Sequence, residues 1–272
     1  MNLYRYRIIH PTDLSEAGGP GFAHALRLAT LLKADLRILH VRRRGEDATH
    51  SNGFPAVRHT LSQWGLIPDS ARREDIERQI GVHIAKMDIL DHSAADGIRH
   101  YVEHEGASLL VMETHGRDGF DRMVHGSVAE DIAAALEVPV LFVPLHSNGF
   151  VSASTGNVAI RRIVVPVARQ PHPQPAIEIF MAMARDLRLR LDRIEFIHIG
   201  ADAPDIRISG GVRAPVRQVE GAVIDAILSA ADDAQLIVMP TARRDSLLDM
   251  LRGTTTERVV RHARCPVLAI PT

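Results

Sequence analysis

Cysteine is almost missing from this 272-residue chain, which has one, Cys265. A lone thiol excludes an internal disulfide framework and a cysteine-based zinc site within one chain, and it fits a reducing compartment. Net charge is nearly absent too, at −1 with a pI near 7.0. No overall basic field favours nucleic acid, and no acidic surplus marks a solvating tail. Long apolar runs are also missing: 138–145 (VPVLFVPL) is among the longest. It falls far short of the roughly 20 residues a membrane span needs. The opening MNLYRYRIIHPTDLS turns polar quickly and carries no signal-peptide core. These absences together lead to the expectation of a cytoplasmic protein that binds neither membrane nor nucleic acid. The 15 histidines are scattered without a His-Glu-x2-His pattern, so no metal site is expected.

What is present is a repeat. Residues 109–144, LLVMETHGRDGFDRMVHGSVAEDIAAALEVPVLFVP, align without a gap with 236–271, LIVMPTARRDSLLDMLRGTTTERVVRHARCPVLAIP, at a constant shift of 127. Of the 36 positions 13 are identical, among them Arg117/Arg244, Asp118/Asp245, Gly126/Gly253, Glu130/Glu257 and Pro139/Pro266. The starts align as well, Arg7-Ile-Ile-His-Pro with Arg162-Ile-Val-Val-Pro, at a shift of 155. The two shifts differ by 28, the length missing from the middle of the second copy. The corresponding stretch of the first copy, 42–81, is polar, arginine-rich and holds the only tryptophan, Trp64. Two helices are expected within it, at 57–64 and 70–79. Residues 147–157 (SNGFVSASTGN) read as a linker by their Ser/Gly/Asn content. The organisation is therefore a first domain over 1–146, a linker, and a shorter second domain over 158–272, each of ordinary domain size.

Each copy alternates apolar runs with helical patterns. In the first, strands are expected at 7–12, 36–41, 82–89, 108–112 and 140–143, with helices at 21–32, 94–105 and 128–136. In the second, strands are expected at 163–167, 194–199, 234–239 and 267–270, with the third strand placed at 212–216. Strands alternating with helices imply an α/β fold of two tandem, open, parallel sheets with helices on both faces. Ligands of such sheets bind outside the carboxyl ends of the strands, where strand order reverses. The strand-end segments PTDLS, LHV and METHG are therefore where chemistry is sought.

The loop 114–127 (THGRDGFDRMVHGS) lies between a strand and a helix and contains Gly116, Gly119 and Gly126. Glycines let backbone amides approach an anion, and the helix starting at Ser127 presents free amides and a favourable dipole, so these parts suit a phosphate cradle. Part of this pattern has a simpler origin. Ser127-Val-Ala-Glu130 is a capping box, and Thr254-Thr-Thr-Glu257 repeats it in the second copy, where the neighbouring glycines are gone. The discriminating residue is Gly116, which is Arg243 in the second copy. Asp13 ends the first strand, with Ser15 after it. Its carboxylate suits a ribose hydroxyl, or else Asp13 or Ser15 caps the next helix; the second copy has Ala168 there. Val41 suits contact with a flat base or simple core packing. His40 reads as a hydrogen-bonded structural histidine, His115 and His125 as further loop candidates, and His92, His100 and His104 as solvated.

These residues resemble the universal stress protein family, and the resemblance covers both halves of the chain. In nucleotide-binding members of that family the loop after the fourth strand reads Gly-x2-Gly-x9-Gly-Ser/Thr. Here those positions are Glu113, Gly116, Gly126 and Ser127. HPTDLSE resembles the family's first strand and its closing aspartate, and Leu39-His40-Val41 its second strand, whose valine touches adenine. The resemblance implies a Rossmann-like fold of the adenine nucleotide alpha hydrolase type. It also implies that Asp13 and Val41 hold the nucleoside of ATP or a related adenine nucleotide. Gly116, Gly126 and Ser127 would then hold phosphates, with Mg²⁺ accompanying them. Thr12, Ser15, Met112, His115, Arg117 and Val128 would line the surroundings. The family often pairs last strands edge to edge, which here implies an internal pseudo-dimer joining 140–143 to 267–270; a further homodimer is left open. Glu113 departs from the pattern by placing a carboxylate where the family's ATP binders have glycine. The second copy departs further, with Pro240, Arg243, Gly253 and Thr254 at the loop positions, and is expected to bind no nucleotide in this manner.

No nucleophile and base are arranged for fast turnover, and neither Lys33 nor Lys86, the only lysines, lies in the loop. The expectation is a sensor or stress-response regulator with at most slow ATP hydrolysis, resting on metal and phosphate positioning. The alternatives are a non-nucleotide interaction module of the same fold and, last, a nucleotide-dependent enzyme.

Overall fold

The computed structural model describes residues 5–14, 19–43, 53–114, 137–145, 147, 149–242 and 254–272. The first copy runs β1 (Arg7–Pro11), α1 (Pro20–Leu32), β2 (Asp35–Arg43), α2 (Val57–Gln63), α3 (Arg73–Ile80), β3 (His83–Asp91), α4 (Ala94–Glu105), β4 (Leu109–Thr114) and β5 (Val140–Pro144). The second runs β6 (Ile163–Pro166), α5 (Gln174–Asp186), β7 (Ile194–Ile199), β8 (Arg207–Ile208), β9 (Val212–Arg213), β10 (Val216–Val219), α6 (Val223–Ala230), β11 (Leu236–Thr241), α7 (Thr255–His262) and β12 (Val267–Pro271). The helix expected at 128–136 lies outside the described residues.

All but two strands form one ten-stranded sheet in the order β10-β7-β6-β11-β12-β5-β4-β1-β2-β3. Every neighbouring pair is parallel except β12 and β5 at the centre, which run antiparallel with Val267 opposite Phe142, Leu268 opposite Leu141 and Ala269 opposite Val140. This is the pairing of 140–143 with 267–270 expected for an internal pseudo-dimer. It removes two sheet edges that would otherwise offer unpaired backbone groups to other chains.

Alternation along the central pair divides the interior into two layers. Leu141, Val143, Leu268 and Ile270 face a core shared with α1, α2, α3 and α5. Val140, Phe142, Val267 and Ala269 face the opposite core, with α4, α6 and α7. Both cores cross the junction between the copies.

The amino ends of the first strands repeat one device. Arg7 Nε donates to Asp35 Oδ2 (3.0 Å) and its backbone amide to Ser108 Oγ (3.1 Å). In the second copy Arg162 Nε donates to Glu195 Oε2 (3.1 Å) and its amide to Gln235 Oε1 (3.0 Å). Burial alone would raise the Asp35 carboxyl, but hydrogen bonds from His83, Arg37 and Arg7 hold it below its ordinary value.

Three features refine the expectations. The third strand of the second copy is Val216–Val219, beside β7, and not 212–216. Val212 and Arg213 pair instead with Ile208 and Arg207 in an antiparallel hairpin. Pro215, with no amide proton, separates the two pieces. The stretch 147–157 is docked, because its Ser/Gly/Asn content encloses an apolar pair, Phe150 and Val151, and both are buried. Their amides donate to His24 Nε2 (3.1 and 3.3 Å), while His24 Nδ1 bonds the Pro20 carbonyl (2.6 Å). The segment 42–81 holds down the same stretch. Its helices α2 and α3 pack Val57, Leu61, Ile76 and Ile80 into the α1-side core. Trp64 Nε1 donates to the Ala153 carbonyl (2.9 Å), and a Cβ on Gly156 would collide with its indole.

Candidate functional site

Strand order reverses between β1 and β4: β2 and β3 continue on one side, β5 on the other. The crevice outside these strand ends is the place where such sheets hold ligands. The chain leaves β1 through Thr12, whose amide still donates to the Leu39 carbonyl (2.8 Å). Leu14 then turns back with φ 64°, and its amide donates to Thr12 Oγ1 (3.1 Å). Between them Asp13 stands exposed at the crevice mouth. It does not act as the N-cap of α1. That position is Gly19, and no side chain of its own caps the helix. Ser15 lies outside the described residues.

Beside β1, the end of β2 separates its neighbours by face. Val41 is half-buried and packs on Gly97 of α4, where a Cβ would collide with it, so its side chain joins the α4-side core. Met112 on β4 is buried in that core too. His40 points the other way. Its Nδ1 lies 3.3 Å from Asp88 Oδ1, which with its second oxygen also receives Arg42 Nε (2.8 Å), and Phe54 stands edge-on to its ring at 6.3 Å. It is the hydrogen-bonded structural histidine expected. Gly53 against Leu14 and Phe54 against His40 bring these two residues of the 42–81 segment to β1 and β2.

Gly116, Gly126 and Ser127, with His115, Arg117 and Val128, lie outside the described residues. In the second copy the capping device is seen: Thr254 Oγ1 accepts the Glu257 amide (3.2 Å), and Glu257 pairs with Arg261 (2.6 Å).

Glu113 is the residue whose placement sequence reasoning missed. It ends β4, and its Oε1 accepts the backbone amide of Gly21 in the first turn of α1 (2.7 Å). The carboxylate thus supplies the cap that Gly19 lacks, opposite the positive end of the helix dipole. The approach is close. A Cβ on Gly19 would collide with Glu113 Oε1, and one on Gly21 with its Cγ. The second copy has none of the three. At the 155-residue shift Pro20 matches Pro175, while Gly19 and Gly21 become Gln174 and Ala176; at the 127-residue shift of the later segment Glu113 becomes Pro240. There Gln174 clasps the hairpin instead, accepting the Arg207 amide (3.1 Å) and donating to its carbonyl (2.9 Å). The glycine pair was a visible signal, but nothing in the sequence links it to a glutamate on β4.

Among the described residues no group of three or more His, Cys, Asp or Glu side chains is placed to hold a metal ion. No helix among them is long and apolar enough to cross a membrane. Cys265 is buried, which pushes its thiol up to about 12, so it is no nucleophile.

Comparison with known proteins agrees with this architecture. A universal stress protein of Methanocaldococcus jannaschii is 30% identical over 151 residues, 52% of this chain and 83% of the relative. One of Thermus aquaticus is 33% identical over 111 residues, 40% of this chain and 77% of the relative. In fold, the chain resembles a universal stress protein from Archaeoglobus fulgidus with a TM-score of 0.66 at 20% identity, covering 99% of this chain and 98% of that one. Residues 5–144 and 205–271 both match the universal stress protein family, and the chain belongs to it.

Proposed function

We propose that the first copy binds an adenine nucleotide, ATP or a related one, and that the protein acts in the cytoplasm as a nucleotide-responsive regulator in a stress response. The observation that carries this reading is Asp13: exposed at the switch point, outside the N-cap position of α1, and replaced by Ala168 in the second copy. In this reading Asp13 accepts hydrogen bonds from the nucleoside. The end of β2 at Val41 borders the base. Gly116, Gly126 and Ser127 cradle phosphates, with Thr12, Ser15, Met112, His115, Arg117 and Val128 around them. Mg²⁺ would come with the phosphates and offset their charge beside Glu113. Turnover, if any, is slow, because no activated nucleophile faces the crevice among the described residues. Residues 1–146 and 158–272 would be the two domains, the second acting as a structural partner.

Calorimetric titration with ATP, ADP and AMP in Mg²⁺ tests the reading. We expect saturable heat that Asp13→Ala abolishes, whereas Ala168→Gly leaves it unchanged. Absence of heat at millimolar nucleotide would contradict it. That result would favour a scaffold that binds another partner, a reading supported by the carboxylate of Glu113 at the crevice.

A further inference from the structure

We infer that β3 is an interface for a second copy of this chain. The second copy adds its own β3 antiparallel, with Met87 opposite Met87, and the sheet continues across a two-fold axis normal to it.

The sheet ends at two strands that differ. One is β10, four residues long and preceded by Pro215 and a hairpin. The other is β3, nine residues from His83 to Asp91 without proline or glycine. β2 pairs with one side of β3 at all nine positions. Among the described residues no backbone group bonds the other side. None of the nine residues of β3 is buried, although four of the nine in β2 are. A long, regular edge is a template for another strand. The molecule already joins its own two copies in this way, where β5 meets β12 antiparallel and Leu141 and Leu268 share one face.

The residue order of β3 identifies the partner. An axis normal to the sheet keeps each face on its own side, so only residues two, four or more apart, or a residue and itself, come to lie opposite. Centring on Met87 pairs all nine residues. On the α1 side Ile84 then lies opposite Leu90, and Lys86 opposite Asp88. On the α4 side Ala85 lies opposite Ile89, and His83 opposite Asp91. Apolar residues meet apolar ones, and Lys86 and His83 each meet a carboxylate. Moving the centre by one residue puts Lys86 opposite Lys86, or Asp88 opposite Asp88. Like charges directly opposite are destabilising. The longest register is therefore also the complementary one. An edge lysine ordinarily deters pairing; opposite an aspartate it selects the register. No side chain has to leave its own chain for this. Asp88 keeps Arg42 (2.8 Å) and His40 (3.3 Å), because a carboxylate accepts several donors, and Lys86 Nζ keeps its place 5.8 Å from the centre of the Phe54 ring.

The test is sedimentation velocity of the full chain, followed by oxidation of cysteine variants. At about 100 μM the natural protein should sediment as a dimer, twice the 29.9 kDa of the chain, and dissociate on dilution. Lys86→Glu, at an exposed position, should weaken the dimer at least about tenfold, because two pairs change from opposite to like charge. Met87→Cys should form a disulfide between copies, because facing Cα atoms stand about 5 Å apart. Leu90→Cys should not, because its two copies lie roughly 20 Å apart along the paired strands. Leu90 is 53% exposed and Met87 is half-buried, so random collision would favour the opposite order. Cys265 is buried and does not compete. A monomer at every concentration of the natural protein would overturn the inference, and this arm needs no variant. A dimer that Lys86→Glu leaves at full strength would overturn it too, as would equal crosslinking of Met87→Cys and Leu90→Cys.

Discussion

The two copies begin the first helix after their first strand in different ways. In the first copy two glycines flank Pro20, and a glutamate from β4 reaches in to cap α1. In the second, Gln174 and Ala176 flank Pro175, and the hairpin of β8 and β9 is clasped to the start of α5. The second arrangement ties the helix start to the hairpin through the neutral amide of Gln174. The first places a carboxylate at the helix start. One fold thus tolerates both ways of starting the helix.

The copies differ also in acid response, which gives the largest expected effect. His10 and His24 are buried in the first copy, and burial pushes both imidazoles down to about 4. At the 155-residue shift their counterparts are Val165 and Ile179, which do not titrate. Unfolded histidines titrate near 6.5, so between about 6.5 and 4 the unfolded chain binds more protons than the folded one. Stability is therefore full above that window and falls as pH drops through it, by about 3 kcal/mol per histidine at its lower end. Urea unfolding at pH 7, 5.5 and 4 should show this loss, and His10→Val should remove roughly half of the histidine share. An unchanged slope in the variant would mean that His10 is not the titrating group.

A smaller effect separates the ways the copies are tied together. Trp64 belongs to the segment that the second copy lacks, and it holds the connecting stretch through the Ala153 carbonyl and Gly156. Trp64→Ala should cost about 2 kcal/mol, less than a fully buried tryptophan because the ring is only half-buried. It should also speed proteolysis within 150–157. Equal cleavage rates in the two proteins would show that the connection holds without the tryptophan.

Most of the architecture was legible in the sequence because it was written twice. The repeat and the chain order of strands and helices in each copy follow from apolar periodicity and one alignment, while the central pairing of 140–143 with 267–270 is what the family resemblance implies. What escaped has physical reasons. Polar composition around Phe150 and Val151 masked two residues that the core takes in. The strand expected at 212–216 moved to Val216–Val219 because Pro215 cannot donate to the ladder and the residues before it prefer a hairpin. At the candidate site, Asp13 and Val41 were legible as strand ends, but the face that Val41 chooses depends on Gly97. Glu113 was noticed as an oddity of the loop pattern. Its actual role, a cap on α1, joins residues 92 positions apart and is visible only once β4 and α1 are side by side.

That contact is also where the account is most exposed. A double-mutant cycle on Gly21→Ala and Glu113→Ala, read by urea unfolding, measures it directly. In the natural protein Gly21→Ala should destabilise by about 1 to 2 kcal/mol, because the new Cβ displaces the carboxylate and the cap is lost. In the Glu113→Ala background the same change should be neutral or stabilising by up to about 1 kcal/mol, as alanine is the better helix former. A coupling of about 1 kcal/mol or more is the predicted result. Additivity within about 0.5 kcal/mol would contradict the claim that Glu113 is built into the first turn of α1.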